Sequence, residues 1–140
     1  AIIPTIITQL LNGSKELKLG NLEPTRDLTF VKDTCAAFVD IFNSDNFYGT
    51  ATNIGMNMEI SIGDLAKEIM RIIGIESKII TKKHRFRPEK SEVDRLVCNS
   101  TKLTSGSDWE PSYSLQKGLK ETIDWFRENS QNKNPELYIV

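Results

Sequence analysis

SIGDLAKEIMRIIGIESKIIT, residues 61–81, carries a complete helix and the strand that follows it. Ser61 is a good N-cap, because its hydroxyl can accept a backbone N–H of the first turn. Asp64 stands three residues on, a weaker form of the capping box. Ile62, Leu65, Ala66, Ile69, Ile72 and Ile73 recur at helical spacing and predict one buried face. Gly74 can close the helix, and SKIIT then reads as a strand.

The same alternation extends outward in both directions. Toward the N-terminus, Ile3, Ile6, Ile7, Leu10 and Leu11 predict a first helix, with Pro4 in its first turn and Gly13 at its stop. ELKLG (16–20) and DLTFV (27–31) read as short strands. Val31, Cys35, Phe38, Val39 and Phe42 predict an amphipathic helix over 31–44, with Asp33 near its positive end. TATNI (50–54) reads as a strand between Gly49 and Gly55. Toward the C-terminus, RLVC (95–98) predicts a strand and NSTKL a short helix. Pro111 and Ser114 introduce a last helix with Leu115, Leu119, Ile123 and Phe126 inward. The expected fold class is mixed α/β, helix-rich with short strands. Residues 1–128 form one binding region and 129–140 a polar tail.

Composition narrows the function classes. The chain of 140 residues is 39% hydrophobic and 26% charged, which supplies a real core. Lys and Arg number 18 against 19 Asp and Glu, and this balance argues against a dedicated nucleic-acid binder. No apolar run approaches the ~18 residues that cross a bilayer, and AIIPTIITQLL lacks the marks of a secretory signal. Cys35 and Cys98 make no disulfide framework, and with no C-x-x-C and one His, zinc is not expected. A cytoplasmic protein without membrane or nucleic-acid partners is the expectation.

Few residues offer catalysis. His84, the only histidine, sits in the basic stretch KKHRFRPEK (82–90) and reads as a solvated loop residue. Glu89 with Glu92, and Asp108 with Glu110, read as surface charge. GTATNIG (49–55) lacks phosphate-cradle spacing, so no nicotinamide site is encoded here. Tyr113 and Lys117 match Y-x-x-x-K, but the helix is expected to start after Tyr113. The tyrosine then packs against the first turn instead of transferring a proton.

Two arginines stand out. Arg26 lies in PTRDLTFVKD between a turn and a helix, and Arg87 precedes Pro88, which restricts its backbone. A guanidinium fork can grip two phosphate oxygens, so the pair can straddle a diphosphate. Pairing of each arginine with a nearby carboxylate stands as the other reading.

Taken in order, AIIPTIITQLLNG, LGNLEPTRDLTFVKDT, ATNIGMNMEISIGDLAKEI, RPEKSEVDRL, NSTKL and DWEPSYSLQKGLKETIDWF cover nearly the whole chain. This series resembles the C-terminal half of extended short-chain dehydrogenase/reductases that act on nucleotide sugars, the NAD-dependent epimerases and 4,6-dehydratases. PTRDLTFVKDT with RPEKSEVDRL is most similar to dehydratases of N-acetylhexosamine nucleotides.

The resemblance implies the C-terminal part of an extended short-chain dehydrogenase fold, lacking the NAD-binding Rossmann core. It implies that Arg26 and Arg87 bind the diphosphate of a nucleotide sugar, although Glu89 and Lys90 replace the family's usual Gly-Asp. The backbone of Ile3 and Pro4 would lie against the base, and Gly20 and Asn21 would face the nucleotide. Trp109 and Pro111 would serve packing. NAD(P) and the catalytic Tyr and Lys would belong to sequence before Ala1, leaving this part inactive by itself.

In the intact enzyme, implied to be a homodimer, NAD would oxidise C4 of the sugar. Epimerisation would follow, or loss of water across C5 and C6. The helix over 31–44 and the segment 50–54 would pack onto that further domain, and self-association of the isolated part is expected. The competing expectations are a small nucleic-acid module using 82–90 and a non-catalytic interaction domain.

Overall fold

The computed structural model describes residues 1–82, 85 and 92–129. Among them, helix α1 (Ile2–Leu11) leads into strand β1 (Glu16–Leu19) and strand β2 (Thr25–Arg26). Helix α2 (Val31–Phe42) and a 3-10 turn (Asp45–Phe47) follow. Strand β3 (Ile60–Ser61) then runs directly into helix α3 (Ile62–Ile73). Strand β4 (Lys78–Thr81), strand β5 (Arg95–Leu96), helix α4 (Thr101–Gly106) and helix α5 (Leu115–Asn129) complete the order.

The strands make two small sheets. β1 pairs with β4 in parallel, Glu16 opposite Lys78 through Leu19 opposite Thr81. β2 lies between β3, antiparallel, and β5, parallel. Helices α1, α3 and α5 pack together over β1. Ile6, Ile7, Leu10, Leu17, Leu65, Ile69 and Ile123 there are fully buried. Each such side chain contributes about 1.5–3 kcal/mol relative to exposure. A second cluster gathers Ala37, Phe47, Leu103 and Trp109.

Helix α3 has the ends its sequence predicts. The Ser61 hydroxyl accepts the Asp64 N–H at 3.0 Å, and Gly74 closes the helix at φ 79°, where a side chain would be strained. α5 starts just after Ser114, whose hydroxyl accepts the Lys117 N–H at 3.2 Å.

Three expectations are corrected. TATNI forms no strand: no backbone ladder pairs with it among the described residues, and an extended segment becomes a strand only by pairing. DLTFV is not a strand either, since the pairing falls at Thr25–Arg26. The Asp27 N–H still donates to Leu96 O at 2.9 Å, but its carboxylate turns to other loops and the chain passes into α2. Helix α2 ends at Phe42 rather than 44, with Asn43 as its C-cap.

The apolar stripe of α2 faces outward. Val31, Phe38, Val39 and Phe42 are 63%, 64%, 58% and 81% exposed, while Asp33 and Ala37 are the buried residues of this helix. Four large apolar side chains on one face is the surface expected of a helix that packs on further protein.

Candidate nucleotide-binding cleft

The ends of the two sheets and the starts of α1 and α3 enclose one cleft. Its polar lining includes Thr5, Gly20, Asn21, Arg26, Arg85 and Glu92, and its apolar wall includes Ile2, Pro24 and Ile62. Thus three of the site residues named from sequence, Arg26, Gly20 and Asn21, meet in one place. Arg87, Glu89 and Lys90 lie outside the described residues, as does His84.

Arg26 is held by the three-stranded sheet. Thr25 N–H donates to Asp94 O at 2.8 Å and Asp27 N–H to Leu96 O, fixing both flanks of the arginine. Asp27 then anchors the strand to two loops: its carboxylate accepts the Met56 N–H at 3.0 Å and the Cys98 N–H at 3.2 Å. The Arg26 guanidinium donates from Nη1 to Thr25 O at 2.7 Å and from Nη2 to Glu92 Oε1 at 3.2 Å. Arg26 is therefore paired with a carboxylate, and it also lines the cleft.

Arg85 is held by the other sheet. Lys82 N–H donates to Leu19 O at 2.8 Å, Arg85 N–H to Lys82 O at 2.9 Å, and Arg85 Nη1 to Lys18 O at 3.1 Å. Gln9 satisfies the rest of the Lys18 backbone, donating to its carbonyl at 3.1 Å and accepting its N–H at 2.9 Å. Gly20 completes the fit: an added Cβ would collide with the Arg85 carbonyl, so this glycine permits a close approach of two backbones. Asn21 Oδ1 accepts the Glu23 N–H at 3.1 Å and shapes the turn.

Sequence reasoning left Arg85 without a role and read Glu92 as surface charge. Neither has a local signal. Arg85 meets a carbonyl 67 residues away, and Glu92 meets an arginine 66 residues away.

Ile3 and Pro4 stand apart from this cleft. Ile3 lines a separate, mainly apolar cleft with Leu28, Phe30, Tyr113 and Leu119, and Pro4 is exposed. Tyr113 precedes α5 and stacks on Phe30 with centroids 4.6 Å apart, and Lys117 Nζ stands 3.9 Å above the tyrosine ring. This is a cation over a ring face and not the shared helix face of a proton-transfer pair. Trp109 is buried and donates from Nε1 to Asp33 O at 3.0 Å, the packing role expected of it. Neither cysteine forms a disulfide, and burial, aided by the Asp27 charge, pushes the Cys98 thiol up.

Among the described residues no cluster of His, Cys, Asp or Glu is placed to hold a metal ion, and no helix is long and apolar enough to cross a membrane. A dinucleotide needs a strand-to-helix turn with free N–H groups. Among the described residues the one direct strand-to-helix passage, β3 to α3, offers none. Ile62 N–H donates to Pro24 O, Gly63 N–H to Leu22 O and Asp64 N–H to Ser61 Oγ. The start of α3 therefore offers no free N–H to the pyrophosphate of a dinucleotide.

The chain belongs to the GDP-mannose 4,6 dehydratase family, whose model matches residues 1–122. It is thus a member of the NAD-dependent nucleotide-sugar epimerases and dehydratases of short-chain dehydrogenase type. It is 32% identical over 133 residues to a UDP-N-acetyl-alpha-D-glucosaminuronate decarboxylase of Bacillus cytotoxicus, covering 91% of this chain and 40% of that protein.

Many solved structures share its fold, and two serve as examples. One is dTDP-glucose 4,6-dehydratase from Bacillus anthracis in complex with NAD, at TM-score 0.77 and 28% identity, covering 93% of this chain and 40% of that one. The other is UDP-glucose 4-epimerase from Thermotoga maritima with UDP-glucose, at TM-score 0.81 and 25% identity, covering 94% and 40%. The chain spans about two fifths of the length of each.

Proposed function

We propose that this chain is the nucleotide-sugar-binding part of an NAD-dependent sugar epimerase/dehydratase, a 4,6-dehydratase in particular, and that it binds without catalysing. The observation that carries the reading is the convergence of Arg26 and Arg85 on one cleft with an apolar wall. Two guanidinium groups match the charge of a diphosphate, and Ile2, Pro24 and Ile62 offer a surface for the flat base.

The sequence-named second arginine, Arg87, lies two residues beyond Arg85 in the same basic stretch and belongs to the same proposal. Gly20 and Asn21 shape the cleft floor. Ile3 and Pro4 act through the course of α1, whose neighbours Ile2 and Thr5 line the cleft.

Binding energy gathered on the nucleotide orients the remote sugar for chemistry carried out elsewhere. The NAD(P) and the catalytic Tyr and Lys belong to a longer, cytoplasmic, homodimeric enzyme that this chain would complete. The dehydratase assignment rests on the likeness of PTRDLTFVKDT and RPEKSEVDRL to that branch.

The test is a thermal-shift panel of UDP, dTDP and GDP, with a single-stranded oligonucleotide as control. A ligand selective for the native state raises the melting temperature. A shift with one nucleoside diphosphate supports the reading. A shift with the oligonucleotide alone, or turnover of a nucleotide sugar by the purified chain, contradicts it.

A further inference from the structure

The ion pair between Arg26 and Glu92 lies inside the proposed diphosphate cleft, and its geometry is that of a weak, exchangeable contact. Its one hydrogen bond measures 3.2 Å, longer than the roughly 2.7–2.9 Å of a good charge-assisted bond. The accepting oxygen, Glu92 Oε1, is shared with the Val93 N–H, also at 3.2 Å. By contrast, the bond from Arg26 Nη1 to Thr25 O is short, at 2.7 Å. The backbone therefore fixes the guanidinium, and the carboxylate only neutralises it. Both side chains are largely withdrawn from water, at 19% and 18% exposure. A cation so placed is costly to leave without a counter-charge.

We infer that Glu92 is an internal counter-anion that holds Arg26 ready in the ligand-free protein and competes with the ligand's phosphate for it. This rests on the reading of the cleft as a nucleoside diphosphate site. Among the described charged side chains lining the cleft, Arg26 and Arg85 are positive and Glu92 is negative. A phosphate can offer Arg26 two short parallel bonds in place of one long one, so the exchange favours the ligand. It still works against a resident negative charge. Glu92 thus sets how strongly the site discriminates by phosphate charge. Its repulsion grows with the charge of the ligand, so it weakens a diphosphate most, a monophosphate less and a nucleoside not at all.

The experiment is calorimetric titration of the wild-type chain and Glu92→Gln with UDP, dTDP and GDP, each with its monophosphate and nucleoside. Far-UV circular dichroism checks that the variant is folded, and Glu92→Ser serves as a second neutral variant if Gln disturbs the loop. The expected result is diphosphate binding tightened about three- to tenfold in the variant, with a steeper salt dependence. The gain is smaller for the monophosphate and absent for the nucleoside.

If the wild type binds a diphosphate and both neutral variants bind it equally or more weakly, the counter-anion role is overturned and the binding site stands. If neither wild type nor variants bind any of the three diphosphates, the reading of the cleft falls and takes this inference with it. A gain of equal size for the nucleoside overturns competition for phosphate, because loosened packing alone produces it.

Discussion

Asp33 and Ser112, 79 residues apart, are joined twice: Asp33 Oδ1 accepts the Ser112 N–H at 3.0 Å and the Ser112 hydroxyl at 2.9 Å. Oδ2 accepts the Tyr113 N–H at 3.1 Å, and the Asp33 carbonyl takes the Trp109 indole. One buried carboxylate on α2 therefore fixes the approach to α5. Asp33→Ala leaves the Ser112 and Tyr113 donors unmet, while the Trp109 indole keeps its backbone partner, and should cost about 3 kcal/mol, read by urea denaturation. A loss under about 1 kcal/mol would show that the loop reorganises without it.

Gly55 packs against Cys98 so closely that a Cβ at 55 would overlap the cysteine Cβ and lie 2.6 Å from its sulfur. Gly55→Ala should destabilise by about 1–3 kcal/mol through forced backbone movement. Because Asp27 spans the neighbouring Met56 and Cys98 amides, diphosphate affinity should fall with it. Pairing it with Cys98→Gly, which removes the overlapped Cβ, should recover part of the stability.

Phe38 and Phe42 stand on the outward stripe of α2. Exposed apolar area of this kind drives association, so the isolated chain should self-associate in sedimentation velocity at micromolar concentrations. Phe38→Lys with Phe42→Lys should abolish that association while changing folding stability by no more than about 0.5 kcal/mol. A wild-type chain that stays monomeric throughout would contradict this use of the face.

The hydrogen bond from Arg95, then that from Thr25, holds the Glu59 carboxyl below the ordinary carboxylate range. A lowered folded-state pKa gives a contribution that is present above the unfolded value, about 4.3 for Glu, and lost as pH falls through the lower folded value. Glu59→Gln should therefore flatten the fall of melting temperature below about pH 4.3 and leave its shape at neutral pH unchanged. An acid limb as steep as the wild type's would assign acid sensitivity to other carboxylates.

What was legible in the sequence was what neighbours in sequence decide. Ser61, Asp64 and Gly74 announce both ends of α3 because caps act within a turn. The periodicity of α2 announced a helix but not its orientation, since Asp33 turns inward to bond backbone 79 residues on. TATNI has strand-forming residues, yet pairing is a long-range matter and no partner strand lies beside it among the described residues. The cleft was half legible. Arg26 was marked by its position between turn and helix, whereas Arg85 and Glu92 acquire meaning only from contacts across more than sixty residues.

The most direct test of the central claim is the affinity of the chain for UDP, dTDP and GDP, measured by calorimetry beside Arg26→Ala and Arg85→Ala. The account predicts saturable binding of at least one diphosphate. Each substitution should weaken it about ten- to a hundredfold, the worth of a charge-assisted bond. Binding that is unchanged in both variants, or absent for all three nucleotides, would contradict it.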